Sequence, residues 1–391
     1  MRQVALVGPV PPWRSGIADQ DIRLLRALRR LGIKPLVVTF RRMYPPFLYP
    51  GRVDRDAGGF PSDVGELHAL LDGWNPLSFV SAARFVASRH PELVLVPWWT
   101  AFWAPHALAL LATLGAERPS AIRVLLCHNV WDHETGPLKG ALTRTVLRRA
   151  DRIVVPNRRA EAELRGEFQE KPIAVLPHPS EPREILPDRE FARARLGVPL
   201  DVPVFLFSGI LRRYKGWDLL LEAFRRVRRE APSAQLVLAG EPWGDAETLH
   251  AAATATPTVK RALSGEMARF TNVRLELRYL PEEERALWFA AADAVVCPYR
   301  HATGSGIAAD ALAHGRPVIG TRVDGLLEVV EDGVSGLLVP PEDVSALAAA
   351  MTRFVVERLG PRLCAGAAAR AAAFHPDAHA RQLLAFTGLP V

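Results

Sequence analysis

The chain has 391 residues, 49% of them hydrophobic and 23% charged, with a formal net charge of +7. This is ordinary globular material, long for one core and sufficient for two domains. No run reaches the ~18 consecutive apolar residues that a membrane-spanning helix needs, and three scattered cysteines, Cys127, Cys297 and Cys364, exclude a disulfide framework or a zinc site.

A reducing, cytoplasmic compartment is the resulting expectation. The opening MRQVALVGPVPPW carries one Arg and a short apolar stretch, which reads as a first strand rather than a leader peptide. That strand, Val4–Val7, breaks at Gly8-Pro9, and Ser15-Gly16 precede a helix beginning near Ile17. A strand, a loop and a helix start can cradle a phosphate. The GxGxxG spacing of dinucleotide binders is missing, so a plain connecting loop fits as well.

In the helix DIRLLRALRRLGIK, Ile22, Leu25, Leu28 and Leu31 share one face, and Arg23, Arg26, Arg29 and Arg30 fall mostly on others. Up to residue 187 there are 25 Lys and Arg against 18 Asp and Glu, and beyond it 24 of each, so the whole excess lies in the first half. Such a basic face either attracts an acidic partner, for example anionic lipid headgroups at the inner membrane surface, or is simply solvated. No aromatic-interleaved basic motif speaks for nucleic acid.

Apolar runs follow at Pro35–Thr39, Leu93–Val96, Arg123–Leu126, Ile153–Val155 and Ala174–Leu176. The stretch 44–76, with several Pro and Gly, reads as a long functional or mobile loop region. His128 directly follows an apolar strand and can donate a hydrogen bond or shuttle a proton; a structural histidine fits the position equally. Cys127 reads as a buried strand residue. His133 and Glu134 either contact an acceptor or cap the next element, and the spacing of His128, Asp132, His133 and Glu134 does not suit a metal.

The Pro- and charge-rich stretch 177–203 is the linker candidate. A second series of apolar runs begins after it, at Val204–Phe207, Gln235–Ala239, Val273–Leu277, Ala294–Cys297 and Pro317–Gly320. Near-continuous apolar strands alternating with helices predict parallel sheets covered on both faces. The fold class is therefore α/β, with two Rossmann-like domains, 1–186 and 187–372.

Ligands in such sheets sit beyond the carboxyl ends of the strands. In SGILRRYKGWDLLLEAF, Gly209 follows a strand end and Arg212, Arg213 and Lys215 come next. Arg presents a rigid fork to phosphate oxygens and Lys a point charge, so a diphosphate is the natural ligand; a solvated Arg-rich loop is the plain alternative. In CPYRHATGSGIAADALAHGRPVIG, Gly304, Ser305 and Gly306 open a helix whose free amides, including that of Ile307, form an anion site. Asp310, four residues in, is placed to accept ribose hydroxyls.

Taken together, these stretches resemble the retaining glycosyltransferases of family 4, which have the GT-B fold, over essentially the whole chain. SGILRRYKGWDLLLEAF is similar to that family's Gly-…-Lys-Gly phosphate loop. LVLAGEP, YLPEEERALWFAAADAVVCPYR and GRPVIGTRVDGLLEVVEDGVSGLLVPPED follow its C-terminal domain order. SGIADQ resembles its N-terminal Gly loop, and CHNVWDHE its strand-end His.

The resemblance implies two domains facing an interdomain cleft, with the last helix, within 373–391, packing back on the first. It implies a UDP- or GDP-linked sugar donor, transfer with retention, no required metal or cofactor, and a glycan, glycolipid or small-molecule acceptor. Arg212, Lys215 and His128 are the implied catalytic residues. Gly16, Gly209, Gly304, Ser305, Gly306, Ile307 and Asp310 would hold the donor, and Ser15, Asp19 and Glu134 the acceptor.

Two positions depart from the family pattern. Ala302 and Asp310 stand where its two Glu are usual, so Thr303 or Ser305 would replace the first. Ile210 stands where many members have Arg, a charge Arg212 can supply. The alternatives are a catalytically silent nucleotide-sugar-binding scaffold, or another GT-B enzyme such as an epimerase or an inverting transferase.

Overall fold

The computed structural model describes residues 3–44, 53–131, 136–180, 187–243 and 272–389. The chain divides into two compact units, Met1–Pro179 with His375–Val391, and Ser180–Phe374.

The first unit is a seven-stranded sheet. Its strands are β1 (Val4–Val7), β2 (Leu36–Arg42), β3 (Glu66–Asp72), β4 (Leu93–Trp98), β5 (Ile122–Cys127), β6 (Arg152–Val155) and β7 (Ile173–Val175). They lie in the order β3-β2-β1-β4-β5-β6-β7, and every pairing is parallel. Helices α1 (Gly16–Arg30), α2 (Leu77–Ser88), α3 (Ala104–Glu117), α4 (Pro137–Arg149) and α5 (Arg158–Glu167) intervene. The strands lack polar alternation because both faces are covered: β1 sends Ala5 and Val7 into one core and Val4 and Leu6 into the other.

The second unit is a six-stranded sheet. It contains β8 (Val204–Ser208), β9 (Gln235–Ala239), β10 (Val273–Glu276), β11 (Ala294–Cys297), β12 (Val318–Thr321) and β13 (Gly336–Val339). The order is β10-β9-β8-β11-β12-β13, again all parallel. Its helices are α6 (Arg189–Leu196), α7 (Trp217–Glu230), α8 (Glu282–Ala291), α9 (Gly306–Ala313), α10 (Asp324–Leu327), α11 (Val344–Val356) and α12 (Gly360–Ala371). Here too β8 alternates, with Val204 and Leu206 in one core and Phe205 and Phe207 in the other. The last helix, α13 (Pro376–Thr387), belongs to the first unit. There it places Ala380, Leu383 and Leu384 in the core that also holds Leu24 and Leu28 of α1.

Three expectations change. Of the stretch 44–76, residues 45–52 lie outside the described residues, and the rest contains the edge strand β3, whose first five residues are only part-buried or exposed, so it lacks the apolar run of a central strand. The stretch 177–203 contains α6, organised around a fully buried arginine. Arg193 donates to the carbonyls of Ala291, Pro199, Leu200 and Val202 at 2.7–2.9 Å and pairs with Asp293 at 2.8 Å. A guanidinium that satisfies five acceptors can be buried where an unpaired one cannot.

The Arg face of α1 is largely spent within the fold. Arg23 is buried and donates to Pro179 O at 3.2 Å, Arg26 pairs with Asp63 at 2.8 Å, and Arg30 pairs with Asp377 at 2.7 Å. Neither the acidic-partner reading nor the solvated one anticipated these partners within the fold. No described helix is long and apolar enough to cross a membrane.

Candidate functional site

In both sheets the strand order reverses beside the first strand of its unit, between β1 and β4 and between β8 and β11. Open parallel sheets bind ligands at the carboxyl ends of the strands at such a switch point. In the second unit that place is built from three segments.

The first is the loop after β8. Gly209 has φ +102°, and a Cβ there would lie 3.2 Å from Lys215 Nζ and 3.3 Å from Ile307 Cγ1. The expected residues Gly209, Lys215 and Ile307 are therefore immediate neighbours. The Lys215 ammonium lies 6.0 Å from the centroid of the Tyr299 ring. Among the described residues it makes no hydrogen bond or ion pair. Arg212 is also without an ion pair there, and its guanidinium rests 5.3 Å over the indole of Trp243, whose Nε1 donates to Glu241 at 2.9 Å. Arg213, by contrast, is exposed.

The second segment anchors this loop. Arg300 follows β11 and holds Asp218 in a bidentate pair, both contacts 2.8 Å, while its backbone N–H donates to Tyr214 O at 2.7 Å. Gly216 then turns the chain into α7 at φ +68°, and a Cβ there would sit 2.0 Å from Pro298 O. We therefore expect Gly216→Ala to cost about 1–3 kcal/mol of stability and to displace Lys215. Urea unfolding would measure the first effect and donor titration the second.

The third segment is the start of α9. The Ser305 hydroxyl accepts the Ala308 N–H at 3.1 Å, and the Gly306 and Ile307 amides have no intrahelical acceptor. A Cβ on Gly325 would come within 2.7 Å of Gly304 N, so α10 packs against this turn at a glycine. The Gly325 N–H donates to Ala302 O at 2.8 Å. Ala302 is buried and offers no carboxylate. Asp310 is also buried, and one of its carboxylate oxygens accepts from the Ser180 hydroxyl.

The first unit holds the other expected residues. Ser15 caps α1, accepting the Ala18 N–H at 3.0 Å, and Asp19 stands in the first turn. Beside Gly16 there is open space where a Cβ would be. His128 follows β5, stacks on His178 at 5.1 Å, and lines a cavity of about 30 Å³ with Gln20, Asp21, His178 and His379.

Burial, with the neighbouring His178 and His379, pulls the His128 imidazole well below its usual range. Burial likewise pulls His178 and His379 to about 4, and pushes the Asp21 carboxyl well above 3.8. His128 is therefore a neutral imidazole at neutral pH, suited to hydrogen bonding rather than to carrying charge. Glu134, with Asp132 and His133, lies outside the described residues.

Sequence reasoning missed Arg300, Asp218, Trp243 and Asp21. The signal for Arg300 was present, since it stands three residues past a strand end, as Lys215 stands seven past β8. Its partner 82 residues away gave no local sign.

Two family models match the chain: Glycosyltransferase Family 4 over residues 16–183 and Glycosyl transferases group 1 over residues 202–356. The chain belongs to the family 4 glycosyltransferases. Among similar curated proteins, a D-inositol 3-phosphate glycosyltransferase of Nocardioides is 36% identical over 206 residues, covering 50% of this chain and 44% of the relative. A D-inositol 3-phosphate glycosyltransferase of Catenulispora acidiphila is 34% identical over 302 residues, covering 74% of this chain and 66% of the relative. The chain thus spans about half to two thirds of the length of these relatives.

Among solved structures, the sucrose-phosphate synthase of Thermosynechococcus elongatus superposes with a TM-score of 0.75 at 20% identity, over 98% of this chain and 97% of that one. Anabaena HepE, solved with UDP and glucose, gives 0.74 at 14% identity over 98% of this chain and 99% of that one. These likenesses establish the GT-B fold.

Proposed function

We propose that this protein transfers a sugar from a nucleotide-diphospho-sugar to an acceptor hydroxyl, with retention at the anomeric carbon. The observation that carries the proposal is the Lys215 ammonium. It stands against Gly209 and Ile307, at the ends of two strands and the start of α9, without a counter-ion among the described residues. Part-buried and without a protein counter-ion among the described residues, the ammonium is available to pair with a ligand anion.

Lys215, Arg212 and the Gly306 and Ile307 amides would hold the donor's diphosphate. The bond between the anomeric carbon and the β-phosphate oxygen breaks, and the nucleoside diphosphate leaves with its charge stabilised by these groups. The acceptor oxygen bonds to the same face of the sugar, and its proton passes to the departing phosphate oxygen. His128, neutral at working pH, would position the donor sugar rather than act as base. The acceptor would be met by Ser15, Asp19 and Glu134 of the first unit.

The donor nucleotide is proposed to be UDP or GDP. Two relatives bear the name of D-inositol 3-phosphate glycosyltransferases, which supports a phosphorylated polyol, alongside a glycan or lipid-linked glycan, as acceptor class. The buried Ala302 supports a second reading, a silent nucleotide-sugar binder.

A thermal-shift screen of UDP-, GDP- and ADP-sugars tests the donor, since a ligand of the native state alone raises the midpoint by mass action. One nucleotide series should raise it, and the raise should vanish in Lys215→Ala. No response to any of them would sink the donor reading. Turnover with candidate acceptors separates an enzyme from a binder, and the product's anomeric configuration by NMR separates retention from inversion or epimerisation.

A further inference from the structure

A second cavity lies in the C-terminal unit, at the opposite end of its strands. Its walls include Pro203 before β8, Asp293 before β11 and Arg316 before β12. Those are the amino ends of strands whose carboxyl ends carry Lys215 and α9. Strands of four or five residues separate the two places by roughly 15 Å. The cavity has a volume of about 390 Å³, within the range of small-ligand sites.

Its charge is unbalanced. Arg189, Arg316 and Arg358 line it against Asp201 and Asp293. Asp293 is already engaged, accepting from Arg189 at 2.9 Å, Arg193 at 2.8 Å and the Val204 N–H at 2.7 Å. The Arg316 Nε is buried and, among the described residues, has no hydrogen-bond partner. Among the described residues the Arg316 side chain makes no hydrogen bond or ion pair. Burial lowers its pKa, with the nearby Cys364 and Asp293 opposing that and Arg189 adding to it.

Arg358 is held at φ +51°, a region costly for a residue with a side chain. Its guanidinium also makes no ion pair or hydrogen bond among the described residues. Leu200, Val202 and Phe354 add an apolar wall.

We propose that this pocket binds a phosphomonoester with an apolar body, the phosphate on Arg316 and Arg358 and the body against Leu200 and Phe354. Arg forks match phosphate oxygens in paired hydrogen bonds, and the apolar wall rewards an organic substituent over bare phosphate. The site is separate from the diphosphate site and does not depend on the transfer reaction. The ester's source is either a soluble metabolite or a lipid headgroup.

Calorimetric titration of the full chain with phenyl phosphate and with inorganic phosphate tests the proposal. Phenyl phosphate should bind at one site, about fivefold or more tighter than inorganic phosphate. Arg358→Gly should weaken it about tenfold without lowering the thermal midpoint, because glycine accepts the positive φ. Arg316→Gln should weaken it at least as much, and Lys215→Ala should leave it unchanged.

Vesicles containing phosphatidic acid identify the source. Sedimentation with them that phenyl phosphate and Arg358→Gly both abolish indicates a headgroup, and no sedimentation with phenyl phosphate still bound indicates a soluble ester. The proposal is overturned if phenyl phosphate does not bind, or if its binding survives Arg358→Gly and Arg316→Gln undiminished, whatever Lys215→Ala does.

Discussion

Lys215→Ala is expected to lower the rate of sugar transfer by roughly 10²–10³-fold, the typical cost of removing one preorganised donor from a developing anion. The loss should fall on kcat as well as on donor binding, because charge on the leaving diphosphate grows as the sugar–phosphate bond breaks. The fold should be indifferent. The Lys215 side chain makes no hydrogen bond or ion pair among the described residues, and substitutions of that kind usually stay within about 0.5 kcal/mol. Initial rates at saturating donor and a urea curve for the same variant would separate the two effects. A variant as stable as the wild type and equally fast would remove the central role given to this residue. Arg212→Ala should cost less, since its guanidinium stacks on Trp243 whereas the Lys215 ammonium lies against Gly209 beside Ile307 at the helix start.

This site was legible because its parts are adjacent along the chain. Gly209 to Lys215 and Gly304 to Asp310 are each a strand end, glycines and a charged or capping residue within a few positions. The central strands were legible for a related reason: burial on both faces removes polar alternation, and continuous apolar runs remain. β3 escaped because it is an edge strand, with Glu66 and Leu70 exposed and His68 only part-buried. The buried Arg193 escaped because composition counts an Arg as surface, and only the fold brings it five acceptors. Asp310 was read correctly as lying in a helix after a Gly-rich turn, yet Ser180, which its carboxylate meets, is 130 residues away. The group around His128 was invisible for the same reason: β5, the segment after β7, α1 and α13 each contribute one or two residues.

That group makes the chain sensitive to acid. His178 and His379 titrate near 4 in the native state, against about 6.5 in an unfolded chain. Their folded values are depressed, so the stability they contribute is complete above about pH 6.5 and lost as pH falls toward 4. In that window the unfolded chain takes up protons that the native chain refuses, which makes stability fall on acidification. Each histidine accounts for roughly 3 kcal/mol across the window, and His128, depressed as well, adds in the same direction.

Asp21 opposes them. Its folded value is raised, so its contribution is complete below about pH 4 and is lost as pH rises through that folded value. With Arg23 a constant positive charge beside His178, the balance is two or three imidazoles against one carboxyl. Stability should therefore fall as pH drops from about 6.5 to about 4, with the Asp21 carboxyl offsetting part of what the histidines lose. Urea midpoints of the full chain at several pH values would show it. His379→Gln should flatten the acid limb, losing about 3 kcal/mol less. Asp21→Asn should do the reverse, gaining stability at neutral pH and steepening the loss on acidification. Parallel pH profiles for the wild type and both variants would mean that these side chains do not titrate as the buried cavity requires.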